Sequence, residues 1–149
     1  MKLIQRNKDA AYLQYDKYVD FDNPIVADKA MELTKNCRST YEKIEAIYYF
    51  VRDEITHTWD AKDSTITVTA SDVLEKKTGI SYSKANLLAA LMRANGIYTG
   101  FCYQRIKRFS YDNKLALHAL NAVFEPDVRK WIRPVSYTHL RAHETPEHL

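Results

Sequence analysis

The sequence predicts an α+β domain in which helices come first and an antiparallel sheet follows. Apolar residues recur at helical spacing as far as about residue 95, and beyond that point they alternate as they do in strands. The chain has only 3 glycines and 4 prolines among 149 residues, which disfavours a turn-dense all-β fold. An apolar fraction of 46% is ordinary for a globular protein, so we do not expect disorder over most of the chain.

Composition also argues against several classes of function. The net charge of +3 comes without a dense basic run, so nucleic acid is not an expected partner. No stretch approaches the ~20 apolar residues that span a bilayer, and the N-terminus lacks the pattern of a signal peptide. Cys37 and Cys102 do not make a disulfide framework, so we expect reduced thiols and a cytoplasmic location. The oligomeric state stays unknown from the sequence.

The first two long helices are predicted from their caps and apolar stripes. Residues 1–20 show no clear period and are expected to form an irregular arm that could hold one short strand. Asn23 can cap a helix whose first position is Pro24, and Ser39 with Glu42 forms a capping box for the next helix. The two stripes consist of Val26, Ala30, Leu33 and Cys37, and of Ile44, Ile47, Tyr48, Val51 and Ile55.

Two further helices and three strands complete the predicted domain. Thr69 and Asp72 can cap a short helix that ends near Gly79, after a polar loop over residues 58–69. A helix from about Ser81 to Asn95 should end at Gly96 in a left-handed cap. Strands are expected over Thr99 to Ile106 and Leu115 to Phe124, joined by a hairpin around Asp112-Asn113, with a third from Lys130 to Arg133.

Two separate strings carry the candidate chemistry. In Thr78-Gly79-Ile80-Ser81-Tyr82, a glycine-bearing turn delivers a small hydroxyl residue to a helix N-terminus. About forty residues later a strand carries Leu117-His118-Ala119-Leu120-Asn121, and Trp131 opens the next strand. The chain from Asn23 to Arg133 resembles the transglutaminase-like superfamily, within the broader group of papain-like thiol enzymes. The string Gly100-Phe101-Cys102-Tyr103-Gln104-Arg105 resembles a bacterial branch of that family.

The resemblance implies a papain-like core, a peptide or protein substrate, no metal or organic cofactor, and a three-residue catalytic site. The family has its nucleophilic cysteine at the position of Ser81, its histidine at His118 and its aspartate near Val135. A helix N-terminus and an imidazolium lower a thiol pKa to roughly 3.5–7.5, and the histidine then moves the proton. Serine gains no such thiolate, and Val135 offers no carboxylate, so we expect the hydrolase or acyltransferase chemistry of the family to be impaired.

Plainer interpretations stay open for the same residues. Ser81 could serve only as a helix N-cap, and the whole domain could be a non-catalytic module that binds a peptide or protein. Tyr82, Gln104 and Asn121 are candidates for lining a substrate groove, although the two amides could equally bond a neighbouring strand. His57 is expected at a helix end. Cys37 is expected to be buried and inert, and Cys102 to be structural.

The last sixteen residues differ from the rest of the chain. Residues 134–149 have no apolar period and hold three of the five histidines, of which His139 and His143 are spaced to share a helix face. A solvated tail is a better interpretation than a metal site, and the string also resembles translated sequencing adaptor. We therefore expect a transglutaminase-like domain over residues 1–133, truncated at its C-terminus, and a non-native or disordered tail over residues 134–149.

Overall fold

The structure, a computed structural model, describes residues 5, 7–58, 66–107 and 115–134, with the backbone alone for residues 104–107 and 115–117. Within these ranges helices precede an antiparallel sheet, as predicted. The elements in chain order are a 3-10 helix Asp9–Leu13, α1 Pro24–Thr34, α2 Thr40–Glu54, β1 Thr56–His57, α3 Ala70–Lys76, β2 Thr78–Gly79, α4 Ser81–Ala94, β3 Thr99–Lys107, β4 Leu115–Glu125 and β5 Lys130–Ile132.

The first three α-helices begin at the capping residues that the sequence predicts. The side chains of Asn23, Ser39 and Thr69 each accept a backbone N–H of their helix's first turn, at 3.1 Å in every case. Each bond satisfies one N–H that would otherwise have no partner at a helix start. Helix α3 stops at Lys76, earlier than predicted, because Lys77 adopts a left-handed conformation with φ of 54°.

Helix α4 is the centre of the domain. It contacts α1, α2 and α3 on one side and strands β3 and β4 on the other. Leu87, Leu91 and Met92 are completely buried, as expected for a helix packed on all sides. The helix ends as predicted: Gly96 has φ of 73°, and the N–H of Ile97 donates to the carbonyl of Met92, which satisfies the open carbonyls of the last turn.

The larger sheet has the strand order β3-β4-β5 and is antiparallel throughout. The register pairs Thr99 with Val123 and Gln104 with His118 on β3 and β4, and Val123 with Ile132 on β4 and β5. The three predicted strands are confirmed to within one residue at each end. The hairpin turn expected around Asp112-Asn113 lies outside the described residues.

A second, two-stranded sheet was not predicted. Strands β1 and β2 pair in parallel, Thr56 with Thr78 and His57 with Gly79. Two-residue strands carry no readable alternation, which explains why the sequence did not reveal them. The expectation that His57 ends a helix is wrong, because α2 stops at Glu54 and His57 lies in β1.

Two other expectations need correction. The N-terminal arm forms a 3-10 helix, and its Tyr12 ring lies so close to Gly100 that a Cβ there would be 2.9 Å from it. Cys37 lies past the end of α1, where it is half-buried and donates weakly to the carbonyl of Leu33. The apolar stripe of α1 therefore continues only to Thr34, which is buried.

The end of the described chain bears on the predicted tail. Pro134, its first residue, is buried, and residues 135–149 lie outside the described part together with His139 and His143.

None of the helices in the described ranges is both long and apolar enough to cross a membrane.

Candidate active site

A groove of about 310 Å³ opens between α2, the start of α4 and strand β4. This volume is at the lower end for pockets that bind small ligands. The groove brings together Ser81 and His118, which lie 37 positions apart in the sequence. The remaining lining comes from Tyr48, Val51, Arg52, His57, Lys84, Ala85, Leu88, Ala119, Leu120, Asn121 and Pro134.

Ser81 occupies the first position of helix α4. The N-cap is Ile80, and no described side chain caps this helix, so the interpretation of Ser81 as the N-cap is wrong. Ser81 is half-buried, and its hydroxyl makes no hydrogen bond with any described residue. The N–H groups of the first helical turn therefore lack a side-chain acceptor, and they carry the positive end of the helix dipole beside Ser81.

His118 lies on strand β4 opposite Gln104 and is half-buried. It lines the same groove as Ser81, although among the described contacts no hydrogen bond joins the two side chains. A nucleophile and its base are often not hydrogen-bonded before substrate binds. The missing bond therefore does not exclude Ser81 and His118 as such a pair, and their position in one groove favours it. Val135, where the family has its aspartate, lies outside the described residues.

The turn before Ser81 is held tightly from both sides. Thr67 donates through its hydroxyl to the carbonyl of Thr78 at 2.9 Å, and the Ser83 hydroxyl donates to the carbonyl of Ile80 at 3.1 Å. A Cβ at Gly79 would lie 2.6 Å from Ser83 Oγ, closer than side chains approach. Glycine at position 79 thus lets β2 pass close to the first turn of α4, and this contact fixes where Ser81 lies.

The three groove candidates have different outcomes. Asn121 lines the groove and is buried, and its amide donates to the carbonyl of Ala85 at 3.1 Å, which ties β4 to the first turns of α4. Tyr82 lies outside the groove lining, 42% exposed, with its ring 6.2 Å from that of Tyr103. For Gln104 the structure gives the backbone pairing with His118 alone.

Four polar residues line the groove although the sequence analysis did not assign them to it: Tyr48, Arg52, His57 and Lys84. Lys84 Nζ donates to the carbonyl of Ile55 at 2.9 Å, and burial raises the pKa of the Tyr48 hydroxyl. Tyr48 and Arg52 are four residues apart, which places them on one face of α2. The sequence alone does not show that this face lies toward α4. Lys84 lies three residues after Ser81, and this spacing was the one usable signal.

The two cysteines lie away from the groove lining. Burial raises the pKa of the Cys102 thiol on β3. The pKa of the Cys37 thiol is raised mainly by burial and also by the negative charge of nearby Glu42. Both thiols are therefore poor nucleophiles near neutral pH. Across the described ranges no group of three or more His, Cys, Asp or Glu side chains is arranged to hold a metal ion.

A central helix that presents Ser81 at its first turn, against an antiparallel sheet that carries His118, is the architecture of the papain-like thiol enzymes. The family model of the transglutaminase-like superfamily matches residues 27–134. The chain therefore belongs to the transglutaminase-like superfamily. A search of curated proteins gives no significant match.

Solved structures share the fold at low sequence identity. A "putative cysteine protease" from Cytophaga hutchinsonii is 19% identical, with a TM-score of 0.67 over 87% of this chain and 42% of the other. The periplasmic domain of TgpA from Pseudomonas aeruginosa is 20% identical, with a TM-score of 0.62 over 93% of this chain and 49% of the other. This chain thus corresponds to less than half the length of either structure. Since one of these structures is periplasmic, the likeness does not support the cytoplasmic location, which stays a prediction.

Proposed function

We propose that the groove beside α4 is an acyl-transfer site for peptide or protein amides, in which Ser81 takes the nucleophile position and His118 the base. The observation that carries this proposal is the meeting of these two residues in one groove, at the start of the buried central helix. The open N–H groups of that helix end supply donors for an oxyanion. Hydrolysis by water is the outcome that we expect for the acyl-enzyme, with transfer to an amine as the variant.

The chemistry would run in two steps. The nucleophile's oxygen or sulfur bonds to the amide carbon while its proton passes to His118, and the departing amine takes that proton as the C–N bond breaks. Water then attacks the ester or thioester carbon and gives a proton to His118; the bond between that carbon and the nucleophile breaks, the nucleophile takes the proton back, and the carboxylic acid product leaves. Serine needs a well-oriented base for the first step, whereas a thiolate is already ionised, so we propose that the chain with Ser81 turns over very slowly.

The test is to restore the thiol. In a Ser81→Cys variant the new thiol should have a pKa below the ~8.5 of free cysteine, because the helix end and His118 stabilise the thiolate. It should react with iodoacetamide faster than Cys37 and Cys102, whose raised pKa values make them internal references. The readout is the pH dependence of alkylation at each cysteine, followed by peptide mass spectrometry.

The control adds His118→Ala to the Ser81→Cys variant. Loss of the imidazole should return the thiol pKa toward that of free cysteine. A thiol that titrates like free cysteine and does not respond to His118→Ala would contradict the assignment of both residues.

A non-catalytic peptide-binding module is the second candidate. It is favoured by Ser81 in place of cysteine and by the absence of a hydrogen bond between Ser81 and His118 among the described residues. If the Ser81→Cys thiol stays unreactive while peptides still bind in the groove, this second function replaces the first.

A further inference from the structure

The charged residues of the groove all have one sign within the described part of the chain. Its charged lining residues are Arg52 and Lys84, and no described Asp or Glu is among the lining residues. Lys84 is held there by its bond to the carbonyl of Ile55 at 2.9 Å. A concave, partly apolar site with cations alone concentrates the field and attracts an anionic group.

Arg52 is the residue best placed to receive that group. Its Nε lies 2.7 Å from Asp53 Oδ1 and its Nη2 lies 3.0 Å from Asp53 Oδ2, so one edge of the guanidinium is fixed. The plane is also supported by Tyr49, with 4.5 Å from the guanidinium carbon to the ring centre. Nη1 makes no hydrogen bond with a described residue, which leaves the outer edge of a preoriented guanidinium free to bind a ligand.

We propose that the groove selects peptides that carry a carboxylate next to the reacting amide, and that Arg52 is the specificity-determining residue that binds it. This inference rests on the proposed function, because it names the substrate class of the same groove. A carboxylate matches the free guanidinium edge with two parallel N–H···O bonds. Asp53 already offsets part of the Arg52 charge, which suits a singly charged group better than a phosphate dianion.

The carboxylate could belong to an acidic side chain or to a peptide's C-terminus. Four short probes separate these sources: acetyl-Ala-Glu-Ala-amide with its glutamine counterpart, and acetyl-Ala-Ala-Ala with a free or an amidated end. Binding is measured by calorimetry on the unaltered chain at low salt. Because Arg52 is partly exposed, we expect the acidic member of at least one pair to bind about fivefold more tightly, which is the upper range for exposed ion pairs.

The Arg52→Gln variant removes the guanidinium and should abolish that preference. Arg38→Gln is the matched control, since Arg38 is exposed and is not part of the groove lining, and it should leave the preference unchanged. Equal binding within both pairs, or a preference that survives Arg52→Gln, would overturn the proposal. Tighter binding of the neutral member in both pairs would overturn it as well.

A protection experiment separates this inference from the proposed function. In the Ser81→Cys variant, the preferred acidic probe should slow iodoacetamide alkylation of the new thiol, and it should do so less when Arg52→Gln is added. If the thiol is activated but acidic and neutral probes protect it equally, the carboxylate preference fails and the acyl-transfer assignment stands. If acidic probes bind through Arg52 while the thiol is unreactive, the preference stands and the catalytic assignment fails.

Discussion

The substitution Gly79→Ala tests how the fold places Ser81. The new Cβ would lie 2.6 Å from Ser83 Oγ and 3.2 Å from Thr67 Oγ1, whereas ordinary contacts begin at 3.4 Å. Ser83 is only 1% exposed, and its hydroxyl is bonded to the carbonyl of Ile80 and lies 3.4 Å from Thr67 Oγ1. The side chain therefore cannot turn away without losing a buried hydrogen bond or shifting the first turn of α4.

The magnitude follows from these opposing terms. Overpacking a tight site costs about 1–3 kcal/mol, and the lower entropy of the unfolded chain with alanine returns about 0.4–1 kcal/mol. We expect Gly79→Ala to lower the free energy of unfolding by about 1–2 kcal/mol. Urea unfolding followed by circular dichroism measures it, with a shift in midpoint at an unchanged slope.

Ser83→Ala identifies the cause of this loss. It removes the Oγ that the new Cβ meets, so the double variant Gly79→Ala/Ser83→Ala should be less destabilised than the sum of the two single variants by about 1 kcal/mol, a typical coupling for residues in contact. Gly96→Ala is the matched glycine control. Nothing lies within 4 Å of a Cβ there, so its cost comes from the positive φ of 73° and should add independently to that of Ser83→Ala. If Gly79→Ala were neutral or stabilising, or if no coupling to Ser83→Ala appeared, the close approach would not be what positions Ser81.

The remaining predictions concern other contacts around the site and the core. Asn121→Ala should destabilise the chain by about 0.5–1.5 kcal/mol in urea unfolding, because the buried amide bond to the carbonyl of Ala85 is lost. Arg93→Lys should also cost about 1–3 kcal/mol in thermal or urea unfolding, since a lysine cannot reproduce the guanidinium bonds to the carbonyls of Thr99 and Gln14 at once. Burial raises the pKa of the Cys102 thiol above the ~8.5 of free cysteine, so the folded chain retains a proton that the unfolded chain releases, and stability should fall as pH rises past ~8.5. In Cys102→Ser this part of the alkaline loss should disappear, which unfolding curves on either side of that pH would detect.

The sequence predicts those parts of the fold that local chemistry determines. Asn23, Ser39 and Thr69 cap their helices because an N-cap is satisfied within three residues of itself, and Gly96 ends α4 for an equally local reason. The β1–β2 pairing is different, because two residues near position 56 meet two near position 78 and leave no period in either segment. His57 was misplaced for that reason.

The candidate site divides in the same way. The family resemblance, and not any local rule, singled out Ser81 and His118, whose common groove depends on the packing of α4 against β4. The preference for serine at helix N-caps led to a wrong expectation at Ser81, because Ile80 is the N-cap of α4. Arg52 could not be assigned to the groove, since its place depends on how α2 packs against α4, and that packing is not visible in the sequence.

The structural supports of the site do not depend on its reactive groups. The β1–β2 pair and the Gly79 contact fix the turn before Ser81, while Asn121 anchors the next turn of α4 to the sheet. None of these contacts uses the Ser81 hydroxyl or the His118 imidazole. A chain with serine at this position can therefore keep the full geometry of the groove, so a thiol restored at position 81 would enter a site that is already shaped. The same independence allows the groove to act as a binding site alone, and it is why reactivity and ligand preference must be measured separately on this chain.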